Sequence, residues 1–73
     1  MWFKYDSSLG EMAIAPRDDG RWNLWIDGVV MGSYHSPHAA ADDVYTQSTG
    51  HDAWDMGPTP DAPCDLSEWT QVR

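Results

Sequence analysis

Four side chains in this 73-residue chain could ligate a soft or borderline metal: His35, His38, His51 and Cys64. The spacing His35-x-x-His38 is one that zinc sites use, but nothing else in the sequence completes a zinc signature. Ser36-Pro37 lies between the two histidines and is better explained as a helix start, which leaves both histidines solvent-exposed beside a cap, with no metal. Cys64 with a histidine, or Ser33 with His35 and an aspartate, would supply the residue types of a nucleophile and its base. Cys64 follows Pro63 and has no basic neighbour in sequence to favour the thiolate, so an inert thiol is expected. The pairs Asp18-Asp19 and Asp42-Asp43 would need converging carboxylates to work as acid and base, whereas adjacent residues on a turn or helix diverge. They are read as solvated charge. Gly28 and Gly32 have turn and strand roles, so no phosphate-cradling loop remains. These readings give no catalytic residue, no metal site and no cofactor.

Any site must be positioned by a single small domain spanning residues 1–73, because a chain of this size buries only about 60% of the surface its unfolded form exposes. Twelve acidic residues against four basic ones give a net charge of −8. That balance opposes roles that depend on neutralising phosphates or coating an anionic membrane, so neither nucleic acid nor membrane is expected as a partner. Hydrophobic residues make up 41% of the chain and five are Trp, which departs from the composition of disordered segments. The single cysteine cannot form an internal disulfide, and no apolar run approaches the length of a signal-peptide core or membrane span. The expectation is a cytoplasmic protein.

The secondary-structure signals predict an α+β domain. Trp22 to Ile26, Asp27-Gly28 and Val29 to Met31 form a β-hairpin, since Asp-Gly supplies the two positive φ angles of a type I′ turn. In simple register Ile26 faces Val29, Leu24 faces Met31 and Trp22 faces Ser33, which puts Trp22, Leu24, Ile26, Val29 and Met31 on a core side. Gly32 suggests a bulge that would bring Tyr34 to the same face as Met31. Glu11 to Pro16 is a third antiparallel strand ending in the turn Arg17-Asp18-Asp19-Gly20, and Pro16 points to an edge position. Residues 1–10 supply either a fourth strand or a flexible arm.

Ser36 as N-cap and Pro37 at the first position open one α-helix, with Ala39, Ala40, Ala41, Val44 and Tyr45 on its buried stripe and Gly50 closing it. This helix packs on one face of the sheet. Trp54 and Met56 belong to a connecting segment, residues 57–64 form a proline-rich connector, and residues 65–72 form a short helical turn. In that turn Asp65 is the N-cap, and Leu66, Trp69 and Val72 recur every three residues.

The order of Trp22, Gly32, Tyr34, Ala40 and Ala41 resembles the three-stranded sheet and helix of plant AP2-type DNA-binding domains over about half the chain. The resemblance implies that fold, and a DNA-reading sheet face that would here carry Arg21, Asn23, Trp25 and Val30. One arginine in an acidic field is too few for that function. The wider pattern, with Thr49-Gly50, Trp54 and Asp65-Leu66-Ser67-Glu68-Trp69, is similar to small bacterial proteins to which no activity is attached.

The aromatic content is what a bland reading explains least. Trp22, Tyr34, Tyr45 and Trp69 are assigned to the core, leaving Trp25 beside Val30 on the other side of the hairpin. Either Trp2 and Phe3 or the C-terminal segment cover it, or it is exposed as part of an interface. The expected function is a small acidic interaction module, non-catalytic, using an aromatic surface of Trp25, Val30, Asn23 and Trp2 to bind a protein partner or a second copy of itself. The alternative is a DNA mimic that inhibits a nucleic-acid-binding protein.

Overall fold

The computed structural model describes every residue except 8, 58–62 and 64. It is an α+β fold whose strands β1 (Trp2–Ser7), β2 (Gly10–Pro16), β3 (Trp22–Ile26), β4 (Val29–Tyr34) and β5 (Thr70–Val72) form one antiparallel sheet in the order β4-β3-β2-β1-β5. Helix α1 (Pro37–Tyr45), a single turn α2 (Asp52–Asp55) and a 3-10 turn (Leu66–Glu68) complete it. Five strands replace the expected three or four, so the sheet is also wider than the three-stranded one implied by the plant domain. The added strands come from the two ends of the chain: Phe3 pairs with Ile14 and Tyr5 with Met12, while Trp2 pairs with Val72 and Lys4 with Thr70. Residues 65–72 are therefore helical only at 66–68, because β-branched Thr70 and Val72 find an open sheet edge along β1. Pro16 ends a strand flanked on both sides rather than an edge strand; its last position in the ladder makes this possible.

Asp27 (φ 51°) and Gly28 (φ 82°) form the I′-type turn that the hairpin requires. Beyond it the register shifts: Ile26 pairs with Val29 and Trp25 with Val30, but Leu24 pairs with Gly32 and Trp22 with Tyr34. Met31 is the extra residue of a β-bulge, so the simple pairings Leu24–Met31 and Trp22–Ser33 do not occur. The bulge turns the Tyr34 side chain toward the core, and Tyr34, like Met31 and Trp22, packs against the buried cluster.

The core lies on one face. Met12, Ile14, Leu24 and Ile26 are fully buried beneath Ala40, Ala41 and Val44 of α1. Ser36 accepts a hydrogen bond from Ala39 N at the helix N-terminus, as its sequence position requires. Two members of the expected stripe face outward, Ala39 and Tyr45, the latter 51% exposed, and Val29 on the hairpin is exposed as well. The helix ends earlier than expected. Gln47 takes positive φ just past its C-terminus, whereas Gly50 leads into α2.

Trp54 is not a linker residue. It is buried, and its Nε1 donates to Val44 O at 2.9 Å. Asp55 ties the preceding loop by accepting from Thr49 N, Thr49 Oγ1 and Gly50 N at 3.0, 2.8 and 2.7 Å. Burial pushes the Asp55 carboxyl upward, but these hydrogen bonds outweigh it and hold the group below the usual aspartate value. Asp65 accepts from Ser67 N and caps the 3-10 turn, so Leu66 and Trp69 enter the core, and Trp69 stacks obliquely on Tyr5 with ring centroids 5.6 Å apart.

Candidate functional site

Strand alternation places a second set of residues on the sheet face opposite α1. Reading across the strands, one row contains Thr70, Lys4, Ala13, Trp25 and Val30, and the next contains Ala15, Asn23 and Ser33. Trp2 precedes the Phe3–Ile14 pair and so stands beside Ala15, with Val72 on its other side. Trp25, Val30, Asn23 and Trp2, the expected surface residues, all lie on this face. Trp2, Asn23 and Trp25 are half-buried by their neighbours, and Val30 is 45% exposed. Phe3 is on the other face and gives Trp25 no cover. It packs against Trp22 with ring centroids 6.1 Å apart.

The two indoles flank the central strand. Trp2 rises from β1 and Trp25 from β3, with Ala13 and Ala15 of β2 between them, so the methyl side chains form the floor of an open trough of about 290 Å³. Two strand spacings across the sheet and a two-residue offset along it root the indoles about 12 Å apart. The trough has a charged end, lined by Glu11 and Asp27. Asp27 N donates to Glu11 O at 3.0 Å, and Asp6 pairs with Glu11, so three carboxylates form a third row across β1, β2 and the β3–β4 turn. Among the described residues the ion pair is Arg17–Asp19, at 3.1 Å, and none of these three takes part in it.

Gly10 lets the acidic row close up. Its φ is +111°, and a Cβ built there would approach Asp27 Oδ1 to 2.6 Å, so the Asp27 side chain lies over a backbone where only hydrogen fits. At the far end of the face Arg21 is engaged: Nε donates to Ser33 Oγ at 3.2 Å and Nη2 to Ser33 O at 3.1 Å, and Nη1 lies 3.4 Å from His35 Nδ1. Sequence reasoning found the aromatic members of this face but missed Glu11 and Asp27. Their alternation in phase with Ala13 and Trp25 signalled the face each would occupy, but joining them to Asp6 in one row needs the β1–β2 register.

The residues weighed for chemistry do not converge. His35 and His38 are exposed near the start of α1, while His51 sits at the N-terminus of α2, where its Nδ1 accepts from Trp54 N at 3.3 Å. Among the described residues no group of three or more His, Cys, Asp or Glu could hold a metal, and Cys64 lies outside the described residues. Tyr34 donates to Asp43 Oδ2 at 3.0 Å. Partial burial, that hydrogen bond and the charges of Asp43 and Asp55 push the phenol up to about 12, keeping it neutral. Among the described residues no helix is long and apolar enough to cross a membrane. In comparisons with known proteins, no family model, curated protein or solved structure matches this chain.

Proposed function

We propose that this chain is a small, acidic, non-catalytic interaction module that engages another protein through the open face of its sheet, with Trp2 and Trp25 at the centre. The observation that carries this reading is the placement of two indoles on the sheet face opposite α1, which no described helix covers, beside a buried core that forms without them. Half-buried tryptophans with small residues between them are the composition of a protein contact, where large rigid aromatics supply most of the binding free energy. Lys4, Asn23 and the carboxylates around them provide the polar rim such contacts have.

A second reading, mimicry of DNA, has the row Asp6, Glu11 and Asp27 in its favour. Mimicry needs the charge to continue along a stripe, and Asp18 and Asp19 sit in the β2–β3 turn while Asp42 and Asp43 belong to α1 across the core. The interaction-module reading is therefore preferred.

The test compares proteins retained from an extract of the native host by the wild-type chain, by Trp25→Ala and by Tyr45→Ala, whose altered side chain is exposed on α1. A partner lost only with Trp25→Ala, and bound again as a purified protein, supports the reading. Retention indifferent to Trp25 overturns it. A nucleic-acid-binding partner that is displaced from duplex DNA by this chain would favour mimicry.

A further inference from the structure

We propose that the trough receives the arginine side chain of an extended basic segment in the partner protein, the aliphatic stem lying over Ala13 and Ala15 between the indoles and the guanidinium reaching Glu11 and Asp27. This rests on the interaction-surface reading above and adds the chemistry of the partner. The trough combines the two features such a group requires. Its walls are indoles, the aromatic faces that attract a cation most strongly, and its floor is apolar and close to the sheet backbone, which suits a methylene stem.

The charged end supplies the complementarity. Asp6, Glu11 and Asp27 stand in adjacent positions across the sheet, an arrangement in which like charges repel. A cation arriving at Glu11 and Asp27 relieves that repulsion and gains charge-assisted hydrogen bonds, which a guanidinium can make to two carboxylates at once. The cations of this face do not already fill the place: Arg21 is engaged with Ser33 at the opposite end, and Lys4 stands outside the trough lining, beside Ala13. The net charge of −8 draws a basic segment toward the protein before contact.

The test is a nuclear magnetic resonance titration of the full chain, isotopically labelled, with synthetic decapeptides identical except at alternate positions, which hold arginine, citrulline or glutamate. The arginine peptide is expected to shift the indole signals of Trp2 and Trp25 while leaving those of Trp54 and Trp69 in place. Citrulline, which keeps the shape and loses the charge, should bind roughly tenfold more weakly, and the glutamate peptide should not bind. Glu11→Gln with Asp27→Asn, the latter a substitution the turn tolerates, should weaken the arginine peptide by roughly tenfold, and Asp18→Asn with Asp42→Asn by less than about twofold.

Equal weakening by both double variants would mean attraction to the overall charge alone and would overturn the inference, as would arginine amide binding as tightly as the decapeptide, which marks a small-cation site. Citrulline binding as tightly as arginine would overturn the cationic inference while leaving the aromatic surface intact. If no peptide shifts Trp2 or Trp25 the inference falls, and the interaction-surface reading is then judged separately by the Trp25-dependent retention described above.

Discussion

Along β3 the chain alternates between two environments. Leu24 and Ile26 are fully buried under α1, whereas Asn23 and Trp25, each one residue away, face the side that no described helix covers. The inner face centres on Met12, Ile14, Leu24 and Ile26 beneath the alanines of α1, with Phe3, Tyr5 and Trp22 packed around them. The outer face joins two large indoles, two alanines and a row of carboxylates. A face selected only for stability has no use for like charges in adjacent positions, and a face selected only for solubility has none for paired indoles. The inner face specifies the fold, and the outer face is the one the proposed interaction would use.

The largest effect expected from this contrast is at the inner residues. Leu24→Ala or Ile26→Ala should lower stability by about 2–5 kcal/mol in denaturant unfolding, through lost transfer free energy and the cavity left behind. Trp25→Ala, between them on the same strand, should lower it by less, about 1–2 kcal/mol, because its ring is only half-buried. A loss at Trp25 equal to that at its neighbours would mean that the outer face is covered, and the contrast would break.

Gly10 offers an intermediate effect and links the two faces. Gly10→Ala meets both a left-handed backbone angle and the Asp27 carboxylate, so a loss of about 1–3 kcal/mol is expected. In an Asp27→Gly background the steric part disappears and only the backbone part persists, so the penalty should shrink. An unchanged penalty would show that Asp27 does not lie over Gly10, and would remove one support of the acidic row.

Much of the inner face was legible from sequence because local signals agreed there. Asp27-Gly28 set the hairpin, Met12 and Ile14 alternated in phase with it, and Ser36-Pro37 marked the helix start. What was not legible depended on distant partners. Thr70 to Val72 is too short to read as a strand until β1 offers it an edge, and Trp54 follows proline-free polar sequence that gives no sign of the Val44 carbonyl awaiting its Nε1. Tyr45 had the right spacing for the buried stripe but is the last residue of α1 and is exposed. On the outer face Asn23, Trp25 and Val30 could be placed together once the hairpin was known, whereas Trp2 also needed the pairing of β1 with β2. The acidic row could not, because it requires the β1–β2 register that brings Asp6 opposite Glu11.

The smallest effect sharpens the contrast from the polar rim of the inner face, where Tyr34 meets Asp43. Tyr34→Phe removes one hydrogen bond, so at neutral pH a loss of about 0.5–1.5 kcal/mol is expected. The pH dependence is more diagnostic. The folded-state phenol is raised from 10.0 to about 12, chiefly by burial and then by Asp43, so folding favours the protonated form. A group raised in this way contributes stability that is fully present below its unfolded value and is lost as pH rises to its folded one. Wild-type Tm should therefore fall more steeply between pH 10 and 12 than that of Tyr34→Phe, and the two should converge toward the upper limit. Asp43→Asn should flatten the same region in part, since it removes the charge but leaves the burial. If wild type and Tyr34→Phe decline in parallel through this range, the phenol is solvated, the bulge at Met31 does not deliver Tyr34 to the core, and the inner face is smaller than the packing beneath α1 indicates.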